Sequence, residues 1–149
     1  MLEYFRRLFA FDEWATKRSL SFLRDHPNVK ALTALSHVLL AQKIWLLRLY
    51  DQDSLSVPTY KDQSLEACET MANEIHNGYV VFLNSIHDSD LDRSITYKNT
   101  KGIEFQTSIR DILMHVALHS VYHRGQAASF VRTGGGEPLN TDYITFTRL

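Results

Sequence analysis

The sequence has little cysteine, proline or glycine: its 149 residues include one Cys, three Pro and six Gly. A single cysteine cannot form a disulfide within the chain, which favours a reducing compartment and excludes a cysteine-based zinc site. The scarcity of proline and glycine argues against a disordered or collagen-like chain, and 44% of the residues are hydrophobic, as in ordinary globular proteins. We therefore expect one folded domain covering residues 1–149, a length that buries a substantial core.

Two further absences limit the partners of the chain. Sixteen Lys and Arg stand against 17 Asp and Glu, so the basic excess that drives nucleic-acid binding is missing. No stretch reaches the roughly 18 apolar residues of a membrane span, and the N-terminal residues lack the apolar core and cleavage site of a signal peptide. These features predict a cytoplasmic protein that binds neither nucleic acid nor membranes.

Apolar residues recur at helical spacing over four segments. Ser64 and Ser108 are suitable N-caps for the third and fourth segments, and three glycines followed by Pro138 end the fourth. The repeat of the third segment continues through Asn77-Gly78, which predicts helix rather than a turn. The predicted helices cover residues 2–24, 29–51, 65–86 and 109–132.

Residues 92–107 have a different pattern, because apolar and polar residues alternate on both sides of a turn at residues 99–102. This alternation predicts a two-stranded hairpin. The expected fold class is therefore all-α, a four-helix bundle with a small β-hairpin between the third and fourth helices. We expect the tail at residues 140–149 to pack back on the bundle.

Two further predictions concern how the helices pack. The glycine at position 125 inside the fourth helix predicts a close crossing with another helix, because glycine otherwise costs roughly 0.5–1 kcal/mol there. The first helix is expected to turn one apolar side to the core, formed by Tyr4, Leu8, Phe11, Ala15 and Phe22.

The fourth helix places two imidazoles on its inward face. His119 and His123 are four residues apart, so they lie about 6 Å apart along the axis and about 40° apart around it, and both can bind one ion. A buried polar group without a partner costs on the order of 1–3 kcal/mol, so this pair needs hydrogen bonds, a cleft or a metal. His115 continues the spacing, but it lies about 12 Å along the axis from His123 and is assigned a flanking role.

The best third ligand is His37, which lies on an apolar side of the second helix with the small residues Ala34 and Ala41 nearby. Three neutral imidazoles suit Zn²⁺, Ni²⁺ or Fe²⁺ and leave a coordination position open for water or substrate, as in catalytic sites. Histidines that are hydrogen-bonded in a core would show the same spacing, so the residues alone leave both interpretations open.

The remaining chemistry-bearing residues point to no second site. His26, His76 and His87 are predicted at the surface, and for Arg124 a solvated charge is favoured over a clamp for a substrate carboxylate. Ser120 stands where an HExxH metalloprotease has its Glu. The chain has no Glu-x-x-His pair of a di-iron bundle and no glycine-rich nucleotide loop.

The run from His115 to Gln126 closely resembles the fourth-helix motif of the DinB-like superfamily of metal-binding four-helix proteins. Residues 11–15 resemble the first-helix segment of that family, residues 37–48 its second-helix His and Trp, and residues 141–143 its tail, so the resemblance spans nearly the whole chain. Thr16 stands where the family often has Asn, which leaves a contribution of the first helix to the site open.

The resemblance implies metal ligands at His37, His119 and His123, a divalent ion such as zinc or nickel, and a homodimer. Relatives in the wider superfamily transfer low-molecular-weight thiols, so a thiol cofactor and a small-molecule substrate are implied as well. The expected function is a metal-dependent enzyme such as a thiol S-transferase or hydrolase; no catalytic residue can be assigned. The alternative is a non-catalytic metal-binding protein of a stress response. A DNA-associated role is suggested by the family name alone, and the charge balance argues against it.

Overall fold

A computed structural model describes all 149 residues, and it has the predicted arrangement of four long helices with one hairpin between the third and fourth. The hairpin is antiparallel and pairs Thr96 with Gln106 at its centre. A short 3₁₀ helix at Asp88–Asp92 precedes it. The elements are α1 Leu2–Asp25, α2 Val29–Leu49, α3 Leu65–Ser85, β1 Ser94–Lys98, β2 Glu104–Ser108, α4 Ile109–Thr133 and a one-turn α5 Tyr143–Phe146.

Side-chain caps fix where three of the helices begin. Asn28, Ser64 and Ser108 each accept a hydrogen bond from the backbone N–H three residues later, which satisfies a donor that a helix N-terminus leaves free. The caps at Ser64 and Ser108 confirm the predicted starts of α3 and α4. Because Ser108 is also the last residue of β2, the hairpin leads directly into the helix that carries the histidine run.

The core lies between the four long helices, and α3 remains helical through Gly78. A Cβ built on Gly78 would overlap Cδ2 of Leu46, so the glycine permits close packing of α3 against α2. The continuous helix predicted from the apolar repeat of α3 is therefore confirmed, and the Asn77-Gly78 pair does not form a turn. No helix is both long enough and apolar enough to cross a membrane.

Two predictions of packing were wrong. Tyr4 is 76% exposed, because the N-terminal half of α1 turns a different set of residues, Leu2, Phe5 and Phe9, into the core. Gly125 does not lie at a helix crossing, since a Cβ built on it would meet nothing within 4 Å. The fourth helix therefore presents an open face at Gly125.

The C-terminal tail packs back on α1, as predicted. The ring of Phe11 lies 5.2 Å from that of Tyr143 and 5.8 Å from that of Phe146, measured between centroids. This contact covers a side of α1 that is distinct from the one formed by Leu2, Phe5 and Phe9. As a result, α1 buries apolar residues on two sides.

Candidate metal centre

Three histidines from two helices converge at one point. His37 comes from α2, and His119 and His123 come from α4. Each offers a ring nitrogen, and the three nitrogens lie within 4.8 Å of one another. The ring centroids are 5.1 Å apart for His37 and His119, 4.5 Å for His37 and His123, and 4.4 Å for His119 and His123. The structure thus brings together all three histidines that the sequence singled out.

Hydrogen bonds fix the orientation of two of these rings. Nδ1 of His37 lies 2.6 Å from the carbonyl oxygen of Thr59, and Nδ1 of His123 lies 2.7 Å from Oε1 of Gln126. Because a carbonyl oxygen can only accept, each Nδ1 must carry the proton, and Nε2 is left as the free acceptor. Metal-binding histidines are commonly held in this way, with one nitrogen donating to a carbonyl and the other facing the ion.

Two tyrosines border the cluster. Tyr60 stacks on His37 with ring centroids 4.0 Å apart and planes 6° apart, while Tyr122 meets His123 edge to face at 5.0 Å. Both are 64% exposed, so they stand at the rim rather than in the core. Tyr122 directly precedes His123 in the chain, and its contact with that ring is one of packing. Tyr60 was missed, because it lies in the loop after α2, where no periodicity points to it.

The cluster disfavours positive charge on its own side chains. Burial lowers the pKa of His37 despite the hydrogen bond to Thr59, and it lowers the pKa of His119 to about 4, with the neighbouring histidines adding to the effect. His37 is only 8% exposed, while His119 and His123 are half-buried. The imidazoles of His37 and His119 are therefore neutral near pH 7, the form in which histidine binds a metal.

The depressed pKa of His119 makes the stability of the metal-free protein depend on pH. The unfolded chain, with a histidine pKa near 6.5, binds this proton more readily than the folded chain does, so the free energy of unfolding should fall as pH is lowered from about 6.5 to about 4. We expect His119→Asn to flatten this slope in urea titrations at a series of pH values. A variant that kept the full slope would show that His119 does not titrate in this window.

The donor set fits a divalent metal ion. Three imidazoles face one another, two of them with Nδ1 already bonded, and neither ring nitrogen of His119 has a hydrogen-bond partner in the protein. Histidines that satisfied one another in a closed core would be joined by hydrogen bonds, whereas the rings of His37 and His123 bond only to Thr59 and Gln126 through Nδ1. The side with His119 and His123 is accessible, so three protein ligands would leave a position open, as in catalytic rather than structural zinc sites.

His115 lies beside the cluster but does not belong to it. Its ring is 5.5 Å from that of His119 and meets Trp45 edge to face at 5.2 Å. Burial and the nearby charge of Arg48 lower its pKa. The flanking position predicted for His115 is therefore what the structure shows.

The surface position predicted for His76 was wrong. Nε2 of His76 lies 2.5 Å from Oε2 of Glu13, and the His76 side chain is only 12% exposed. Its place on α3 brings it against α1, which the periodicity of α3 alone could not indicate. Burial nevertheless lowers its pKa, with Glu13 acting in the opposite direction. This pair lies outside the three-histidine cluster.

The role favoured for Arg124 was also wrong. Its side chain is 4% exposed and pairs with Asp12 of α1, itself nearly buried. The arginine is therefore neither a solvated charge nor free to clamp a substrate carboxylate. Its partner lies 112 residues earlier in the chain, a distance over which one sequence gives no pairing signal.

Comparison with known proteins decides the family. The DinB family model matches residues 11–149, which include the tail and all three clustered histidines. The chain belongs to the DinB family. The family assignment thus confirms the resemblance drawn from the histidine run and the flanking segments.

Two DinB relatives cover almost the whole chain. Protein DinB of Bacillus subtilis (strain 168) is 23% identical over 163 aligned positions, spanning 96% of this chain and 93% of that protein. The crystal structure of a DinB-like protein from Bacillus cereus ATCC 10987 superposes with a TM-score of 0.65 at 18% identity, covering 93% of this chain and 95% of the other. The structural likeness confirms the DinB-like fold.

Proposed function

We propose that this protein binds one divalent metal ion through His37, His119 and His123 and uses the open side of that ion in catalysis. The observation that carries the proposal is the convergence of three imidazole nitrogens within 4.8 Å. Two of the rings already have Nδ1 bonded to carbonyl oxygens. Zinc, nickel and ferrous iron are the ions that suit such a set of nitrogen ligands.

The proposed reaction class is thiol S-transfer or hydrolysis on a small-molecule substrate. When bound, the ion would supply Lewis acidity that favours the deprotonated form of a low-molecular-weight thiol or of water. The chain itself orients the ligands through Thr59 and Gln126, and it flanks the accessible side with the rings of Tyr60 and Tyr122. These rings offer apolar surface to a substrate while leaving the cluster open.

The test is elemental analysis followed by a screen for turnover. Protein loaded separately with zinc, nickel or iron is incubated with a panel of low-molecular-weight thiols and electrophiles, and free thiol is measured over time. We expect metal-dependent consumption by the wild type and none by His123→Ala loaded in the same way. Metal binding without consumption of any thiol or hydrolysis of any ester would favour the alternative.

The alternative is a non-catalytic metal-binding protein of a stress response. One observation favours it: the three-histidine cluster includes no carboxylate, so no Asp or Glu stands there as a general base. In either case we propose a cytoplasmic location. The single cysteine is a free, buried thiol, a state that a reducing compartment maintains.

We further propose that two copies pair through the outer face of α4. This face carries large apolar side chains at heptad spacing, and no other part of the chain covers them. Exposed apolar residues that line up along a helix are typical of helix pairing. The exposed fractions are 41% for Met114, 63% for Leu118, 49% for Val121 and 64% for Tyr122.

An antiparallel pairing centred between Val121 and Tyr122 is supported by size and charge. In that register Leu118 faces Gly125 of the second copy, where an added Cβ would meet nothing within 4 Å. The same register sets Asp111 opposite Arg132 of the second copy. Arg132 has no carboxylate partner in its own chain, and both residues are exposed.

Leu118→Glu should shift the protein from dimer to monomer, because it places one negative charge from each copy in the apolar seam, the contact between the outer faces of the two α4 helices. The mass in solution is measured by analytical ultracentrifugation at micromolar concentration. Val81→Glu on α3 is the matched control, since Val81 is 61% exposed but lies outside the seam. A wild type that sediments as a monomer, or a Leu118→Glu variant that stays dimeric, would contradict this pairing.

A further inference from the structure

A network of buried polar side chains lies on the core side of α4, behind the histidine cluster. Its five members come from three helices, and none is more than 7% exposed. Two of them, Asp12 and Arg124, carry formal charges and form an ion pair. The members are Asp12 and Thr16 of α1, Gln42 of α2, and Ser120 and Arg124 of α4.

Each oxygen of the Asp12 carboxylate accepts from a different helix. Nη1 of Arg124 donates to Oδ1 from α4, and Nε2 of Gln42 donates to Oδ2 at 2.6 Å from α2. Gln42 also donates to Oγ of Ser120 at 2.9 Å. One carboxylate of α1 is thus bonded to both helices that carry the histidines.

The α4 members of the network alternate with the histidines along the chain. Ser120 directly follows His119, and Arg124 directly follows His123. Consecutive residues of an α-helix differ by about 100° in direction, so the network holds one side of α4 while the histidines project from the neighbouring side. Any rotation of α4 about its axis would therefore break the network and turn both imidazoles away from His37.

The energetics of buried ion pairs indicate that stability alone does not explain this arrangement. Withdrawing two charges from water costs about as much as their attraction returns, and replacing a buried pair with well-packed apolar residues is often neutral or stabilising. A polar network instead defines geometry, because the bonds that Arg124 and Gln42 donate to the Asp12 carboxylate can both form in one helix rotation only. The best-attested role of buried polar and charged groups is to fix how packed helices are aligned with each other.

We propose that the Asp12–Arg124 pair, with Gln42 and Ser120, positions the histidines by fixing the rotation of α4 relative to α2. Asp12 and Arg124 are positioning residues, since they act through His119 and His123 and do not themselves touch the ion. This role rests on the proposed metal site. It also gives α1 a function in that site without supplying a ligand.

The test separates geometry from stability with two variants. Arg124→Met leaves the Asp12 carboxylate buried and unpaired, whereas Asp12→Leu combined with Arg124→Met replaces the pair with apolar side chains. We measure the melting temperature, zinc affinity by competition with a chromophoric chelator, and the visible absorption of bound Co²⁺, which reports coordination geometry. Resonances of the histidine Cε1–H protons in metal-free protein report the ring environments independently of any metal.

We expect Arg124→Met to lower the melting temperature by at least about 5 °C and the double variant to recover most of that loss. Zinc affinity should nevertheless stay at least about tenfold below wild type in the double variant, the size of effect seen for groups that orient ligands. Its Co²⁺ spectrum and the Cε1–H resonances of His119 and His123 should also change. The control is Leu83→Ala, a core variant outside the network and the cluster, which should lower the melting temperature and leave those three readouts unchanged.

Wild-type affinity, spectrum and resonances in the double variant would overturn the positioning role. So would changes in Leu83→Ala equal to those in the double variant at the same melting temperature, because loss of stability would then account for them. A wild type that binds no metal refutes the proposed function instead. The resonances of the metal-free variants still decide whether the pair sets the histidine geometry.

Discussion

Replacing His123 with Ala should lower the affinity for zinc by roughly 1000-fold or more, about 4 kcal/mol of binding free energy. Three protein ligands define the proposed site, and two remaining imidazoles cannot enclose an ion on three sides. His123 is also the ligand whose Nδ1 bonds to Gln126, so its ring is already oriented and little is lost in ordering it when a metal binds. Zinc affinity is measured by competition with a chromophoric chelator at pH 7.

His115→Ala is the matched control for this prediction. It removes a histidine from the same helix, one that lies beside His119 but outside the cluster. Zinc affinity in this variant should stay within a few-fold of wild type, and far-ultraviolet circular dichroism should show the same helix content in all three proteins. Equal losses in the two variants would mean that the cluster is not the binding site.

Zinc at 100 times its dissociation constant should raise the free energy of unfolding by about 2.7 kcal/mol, because an ion that binds only the folded chain stabilises it by mass action. The site needs α2 and α4 to be packed together, and the unfolded chain does not hold those three imidazoles near one another. Thermal unfolding is followed with zinc and then with excess chelator. The shift should disappear on chelation.

The pH dependence of this stabilisation provides its internal check. Because burial lowers the pKa of His119 to about 4, protons compete weakly for that ring near neutral pH, and the zinc-induced shift should persist at pH 6. His37→Ala should show no shift at any pH. A shift of wild-type size in His37→Ala would place the bound zinc elsewhere on the protein.

The parts of the site that the sequence predicted are those with a local signal. The four-residue spacing of His119 and His123 places both on one face of a helix, and His37 stands out as an imidazole on an apolar side of its helix. The Ser caps and the continuous repeat of α3 likewise depend on residues close together in the chain. The fold class and the three histidines could therefore be predicted before any coordinates.

The parts that could not be predicted depend on residues far apart in the chain or outside regular structure. Thr59 and Tyr60 orient His37 from a loop, where no period reveals which way a side chain points. Arg124 pairs with Asp12 across 112 residues. Gly125 was expected at a helix crossing because glycine is costly inside a helix, but its place on the outer face of α4 became visible only once the helices were packed together.

The most direct test of the central claim is X-ray diffraction from zinc-loaded crystals at energies on both sides of the zinc absorption edge. We predict one anomalous peak about 2.0–2.1 Å from a ring nitrogen of each of His37, His119 and His123, with the remaining position facing solvent between Tyr60 and Tyr122. A fully loaded crystal with no peak among these rings, or with zinc bound elsewhere, would contradict the account.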